Sequence, residues 1–185
     1  EIGGQFNYAK RIPGKEEFRE TLRYFRHRLE ETRVDVKLST PATAADLTGF
    51  DEVVLATGIT PRRVAFPGAD HAKVVSYVDV LSGRVKVGAR AALIGAGGIG
   101  FDVAEYLTHE GHSPSLDPAR WMAEWGVDPT FEARGSRVKP QPEPPAREVW
   151  LLQRSPDKPG ARLGKTSGWV HRATLKAKQV KMLGG

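Results

Sequence analysis

The run Gly95-Ala96-Gly97-Gly98-Ile99-Gly100 stands between an apolar stretch, Ala91-Ala92-Leu93-Ile94, and a segment in which Val103 and Leu107 recur at helical spacing. A chain that leaves a strand through glycines and enters a helix at once must make a tight strand-to-helix turn. Gly95 permits the turn, Gly97 leaves the backbone free of a Cβ where phosphates would approach, and Gly100 lets the new helix lie close to the strand. The unpaired N–H groups and positive end of that helix then suit a pyrophosphate. A ligand-free packing turn would use the same residues, but the flanking strand and helix favour a dinucleotide. Gly95, Ala96, Gly97, Gly98, Ile99 and Gly100 are therefore the candidate phosphate-binding residues, and the expected class is α/β, a Rossmann-like doubly wound nucleotide-binding domain.

With 185 residues, 39% of them apolar, the chain has room for one globular domain or for one domain and part of another. No apolar stretch approaches the ~20 residues of a membrane span. The sequence begins at Glu1, and its first residues resemble neither a signal peptide nor a helix start, so it reads as an excised piece of a cytoplasmic protein. Without cysteine, these residues hold no disulfide, no Cys-ligated iron–sulfur cluster and no thiol catalyst. The net charge of +6 is uneven: from Trp150 onward eight Lys or Arg face a single acid, Asp157, so the earlier residues sum to −1. Such a segment can bind nucleic acid, attract a cofactor's phosphates or form a solvated face. The absence of an aromatic-interleaved basic array or a recognisable nucleic-acid module argues against nucleic acid.

Along the chain, Pro13-Gly14 introduces a helix in which Phe18, Leu22, Phe25 and Leu29 form one buried stripe. Residues 34–38 alternate as a half-exposed strand, and Val53-Val54-Leu55-Ala56 reads as a buried one, ended by Thr57-Gly58. Ser76 caps a short helix with Asp79 at its third position. Residues 109–146 hold two short helices with Asp-Pro starts and Gly ends, Asp117 to Gly126 and Asp128 to Gly135, then a proline-rich connector. The convincing second strand comes only at Glu148-Val149-Trp150-Leu151-Leu152, so this segment reads as an insertion. Its Trp121, Met122 and Trp125 either form a local apolar cluster or cover a partner domain; the local cluster is the simpler expectation. A helix over Trp169 to Lys178 and a strand at Val180 to Leu183 complete the chain.

The second strand ends in Gln153-Arg154. An acid there would accept hydrogen bonds from a free ribose 2′-hydroxyl, whereas the Arg154 guanidinium offers forked donors to a 2′-phosphate, which favours NADP(H) over NAD. Gln153, Lys158 and Lys165 join Arg154 as candidates, with Arg162 nearby in the same loop. His27, His71, His109, His112 and His171 stand at unrelated spacings, and no carboxylate–nucleophile or metal-ligand pattern exists, so no catalytic or metal-binding residue is assigned.

Six stretches carry a resemblance that runs from end to end: Gly3-Gly4-Gln5-Phe6-Asn7, residues 12–18, Leu55-Ala56-Thr57-Gly58, residues 76–81, residues 95–104, and Leu163-Gly164-Lys165-Thr166-Ser167-Gly168-Trp169. They resemble the bacterial NADPH-dependent 2,4-dienoyl-CoA reductases, old-yellow-enzyme-like flavoproteins of fatty acid β-oxidation. The resemblance implies that NADPH reduces FAD, and that electrons then pass through a 4Fe-4S cluster to FMN in a barrel where the dienoyl-CoA is reduced. It also implies that Gly3, Gly4 and Gln5 form a loop approaching FAD, and that Ala56, Thr57 and Gly58 form a turn close to it. By the same comparison the first glycine turn and closing segment of the FAD domain, like the FMN and iron–sulfur barrel, lie outside these residues. The FAD site is then incomplete here, and those missing parts are expected partners together with NADPH.

The expected organisation is a partial FAD-binding domain at 1–60, a crossover at 61–88 and an NADP-binding domain at 89–185 with its insertion at 109–146. The alternative is a nucleotide-docking or structural domain of a trimethylamine-dehydrogenase-like flavoprotein, without nicotinamide turnover.

Overall fold

A computed structural model describes residues 1–185. Three parallel strands lie in the order β1 (Arg90–Ile94), β2 (Glu148–Gln153), β3 (Lys181–Gly184). Arg90 stands opposite Glu148 and Ile94 opposite Leu152; Trp150 stands opposite Lys181 and Gln153 opposite Gly184. The connections carry the helices α4 (Gly98–Thr108) and α6 (Gly168–Ala177), as parallel strands require.

The alternation of side chains along a strand explains which face is covered. Val149 and Leu151 of β2 are buried in one cluster with Phe101, Val103, Ala104 and Leu107 of α4 and Leu175 of α6. Ala92, Ile94 and Leu183 point to the other face and stay exposed. Ile12 joins the same cluster, as do Val80 and Leu81 of the short helix α3 (Tyr77–Ser82). The amino-terminal helices α1 (Phe6–Ala9) and α2 (Phe18–Glu31) are thereby seated beside the part that carries the sheet. Lys15 adds an ion pair across that seam, 2.6 Å from Asp102 of α4.

Capping residues set several helix ends as expected. The Ser76 hydroxyl accepts from the Asp79 amide to begin α3. The Asp117 carboxylate accepts from the Ala119 and Arg120 amides to begin α5 (Pro118–Trp125), and Gly126 closes it in the left-handed conformation at φ 68°.

Three expectations are corrected. Residues 34–38 and 53–56 form no strand, because no neighbouring strand receives their backbone groups: every hydrogen bond and ion pair of residues 35–75 stays within about this stretch. Val54 and Leu55 are 87% and 82% exposed rather than buried. The stripe on α2 is buried only at Leu22, while Phe25 is 54% exposed. The second short helix of the insertion is absent, because the Asp128 carboxylate draws the Thr130 and Ala133 amides into a turn of its own. Only a single 3-10 turn, Arg134–Ser136, follows.

The insertion is nevertheless tied to the domain. Lys178, at the end of α6 and nearly buried, reaches Glu124 at 3.1 Å and the Glu143 carbonyl at 3.1 Å. Arg120 holds both the Glu143 carboxylate and, at 2.8 Å, the His112 carbonyl. The Trp121 and Trp125 rings lie 6.1 Å apart, a local pairing that leaves Trp121 partly in solvent.

Candidate nucleotide-binding site

β1 ends at the glycine turn, whose geometry divides its residues by role. Gly95 has φ 118°, a backbone region other residues rarely enter, and its amide bonds the Leu152 carbonyl of β2 at 2.8 Å. A Cβ on Gly100 would fall 1.9 Å from the Gly95 carbonyl oxygen and 3.3 Å from Leu151. Only glycine allows the helix to lie that close to the strand.

Gly97 and Gly98 differ: a Cβ on either would meet nothing within 4 Å. Their outer side is open. The first intrahelical bond of α4 runs from the Phe101 amide to the Gly97 carbonyl at 3.0 Å. The amides of Ala96, Gly97, Gly98, Ile99 and Gly100 donate to no acceptor in the chain. Unpaired donors at the start of an eleven-residue helix, beside open space with no Cβ, fit the negative oxygens of a pyrophosphate.

The loop after β2 rises beside this turn. Arg154, Lys158, Arg162 and Lys165 are exposed, and none forms an ion pair. The acid among them, Asp157, is occupied by the Ser155 hydroxyl at 2.6 Å. Gln153 has a different part from its neighbours: its side-chain amide donates to the Ser155 carbonyl at 3.1 Å and to the Asp157 carbonyl, folding the start of the loop.

The candidates from the amino-terminal part stand apart. Gly3, Gly4 and Gln5 form the turn into α1, with φ 115° at Gly3, where a Cβ would strike Leu22 at 2.5 Å. Gly4 lines an open hollow of about 430 Å³ together with Tyr8, Lys10 and Arg11. Ala56, Thr57 and Gly58 lie in an exposed stretch without regular structure, and no hydrogen bond brings them to either glycine turn.

One pair had no signal in histidine spacing. Glu105 is 8% exposed on the core side of α4, and its carboxylate accepts from His171 Nδ1 of α6 at 2.8 Å. That bond holds the His171 pKa above its ordinary value, against the opposing pull of burial, with the charge of Asp102 adding to the rise and Lys15 opposing it. An acid at the position following Ala104 on an apolar helix face was the available clue, since a buried carboxylate needs a partner.

A parallel sheet with a glycine turn and unpaired helix amides defines a nucleotide-binding domain. The family model for pyridine nucleotide-disulphide oxidoreductases matches residues 9–177, and the chain belongs to that family. Membership implies binding of FAD and a pyridine nucleotide. Among particular relatives, the cinnamate reductase of Clostridium sporogenes is 36% identical over 112 residues, 57% of this chain and 16% of that protein. A metal reductase of Desulforamulus reducens is 30% identical over 117 residues, 60% of this chain and 18% of that protein. In structure, the chain is similar to a 2-naphthoyl-CoA reductase solved in complex with 2-naphthoyl-CoA, with a TM-score of 0.71 and 24% identity, over 99% of this chain and 23% of that one. That likeness is one of fold. The chain thus spans a small part of the length of the proteins it matches.

Proposed function

We propose that this chain binds NADPH and directs its hydride to FAD within a larger reductase of unsaturated acyl-CoA thioesters, in the manner of the 2,4-dienoyl-CoA reductases. The observation that carries the nucleotide reading is the row of unpaired amides at 96–100 beside the open sides of Gly97 and Gly98. The choice of NADPH over NADH rests on Arg154, exposed and unpaired just past the end of β2, where an acid would repel a 2′-phosphate. When bound, the nicotinamide supplies a hydride and the flavin accepts its two electrons, which the resemblance sends on through a 4Fe-4S cluster and FMN to the acyl substrate.

This chain's own residues bind and orient. The turn amides hold the pyrophosphate, Gly100 keeps α4 against the sheet so that those amides stay aimed, and Arg154 with Lys158 and Lys165 receives the adenosine phosphate. Gly3, Gly4, Gln5 and the stretch Ala56-Thr57-Gly58 supply the chain's approach to FAD. The exposed apolar run through Val53, Val54 and Leu55 fits a site completed by further polypeptide, in keeping with the small share of its relatives that the chain spans.

The reading is tested by rapid mixing of the full-length, flavin-loaded reductase with NADPH under anaerobic conditions. Bleaching of the visible flavin band is expected, and Gly97→Val should abolish it while the flavin stays bound. An unbleached flavin in the unmutated protein would refute the hydride transfer.

A further inference from the structure

The basic loop after β2 is held from three sides, although nothing in the loop itself is regular. Gln153 ties the Ser155 and Asp157 carbonyls at its start. The end of β3 closes upon the same two groups: a Cβ on Gly184 would lie 2.9 Å from the Ser155 oxygen and 3.0 Å from that of Asp157. At the middle, Gly160 is buried with φ 76°, and a Cβ there would meet the Phe101 ring at 2.7 Å and Leu163 at 3.0 Å. Phe101 sits in the first turn of α4, directly after the glycine turn. The Gly160 carbonyl in turn accepts from the Arg172 guanidinium of α6 at 3.0 Å.

The loop's free cations are thus registered to the same helix whose amides face the pyrophosphate. We infer that Arg172 and Gly160 are positioning residues for NADPH selectivity, because their bond seats the loop on Phe101 and fixes where Arg154 and Lys158 stand relative to the glycine turn. This rests on the cofactor reading above. Arg172 is itself basic, but its guanidinium is engaged by the loop's backbone, so its part is separable from a direct phosphate contact. A loop ordered before binding spares the ligand the cost of ordering it, which is where preorganisation raises affinity.

The experiment is calorimetric titration of the protein, Arg172→Ala and Gly160→Ala with NADPH and with NADH. Both variants should bind NADPH roughly tenfold more weakly, the loss expected from releasing one or two ordered side chains. NADH affinity should stay within about twofold, since no 2′-phosphate reaches the loop. Gly160→Ala removes no charge, so a loss in Arg172→Ala alone would mean a direct phosphate contact and overturn the positioning role. Unchanged NADPH binding in both variants would overturn it too, as would equal losses for the two nucleotides. Should Gly160→Ala not fold, Arg172→Lys takes its place, keeping the charge while removing the guanidinium that bonds the Gly160 carbonyl. Equal binding of NADPH and NADH by the unmutated protein would remove the cofactor reading and this inference together.

Discussion

Glycines that look alike in the sequence are under different physical demands. Gly100 answers to the interior: its hypothetical Cβ lies 1.9 Å from a backbone oxygen, which cannot swing aside as a flexible side chain would. Gly100→Ala is therefore expected to destabilise the domain by about 3 kcal/mol, measured by urea unfolding, because the helix must lift from the sheet. Gly97 answers only to the outside. Its φ of −88° and ψ of −173° are open to any residue, and its outer side is empty. Gly97→Val should keep its unfolding free energy within ~0.5 kcal/mol of the parent, as unconstrained surface changes do, yet lose dinucleotide binding. Binding at parental strength by folded Gly97→Val would remove that residue from the phosphate site. The sequence pattern already placed Gly100 at the close approach of helix to strand, since the order of glycines around a strand-to-helix turn leaves little geometric choice; the phosphate role it gives Gly97 rests on the binding measurement. The Gln153 amide turns back on its own loop, a side-chain direction past a strand end that spacing does not encode.

Among elements, the helices with local signals formed where the sequence placed them. Asp117-Pro118 and Gly126 bracket α5, and Ser76 caps α3, because capping acts between residues a few positions apart. The strands at 34–38 and 53–56 did not form, because alternation describes which face a strand would bury and supplies no partner for its backbone. Asp128 likewise had the signature of a helix cap, but Thr130 and Ala133 closed a local turn upon it first. Ties between elements were invisible in the same way, and the bond from Glu105 to His171, joining α4 to α6, has a testable consequence. With the His171 pKa raised in the fold above its ordinary 6.5, the pair's contribution is fully present below about pH 6.5 and fades as pH rises through the raised value. The melting temperature of the parent should exceed that of His171→Gln at pH 5.5–6 by a margin that shrinks as pH rises above 6.5. A margin that widens with pH would contradict the pairing. At the other end of α6, Lys178→Ala should cost about 3 kcal/mol in denaturant unfolding, because Glu124 is left largely buried without its partner.

The whole molecule exposes 13981 Å² at a mass of 20.3 kDa, against roughly 8,800 Å² for a compact monomer of that mass. The excess is concentrated where every residue from 30 to 65 is exposed, none of them belonging to the cluster around Phe101 and Leu151. Limited trypsin digestion of this chain should therefore cut first at Lys37, Arg62 or Arg63; initial cleavage at Arg154 or Arg162 would contradict a seated basic loop. The nucleotide half retains its own core and the full geometry of the glycine turn, which makes binding the property most directly open to measurement. Calorimetric titration of the parent and of Arg154→Ala with NADPH and NADH decides the central claim. A charge-assisted contact of about 1.5–3 kcal/mol predicts a ten- to hundredfold preference for NADPH in the parent, erased in Arg154→Ala with NADH affinity retained. Equal affinity of the parent for the two nucleotides would contradict it.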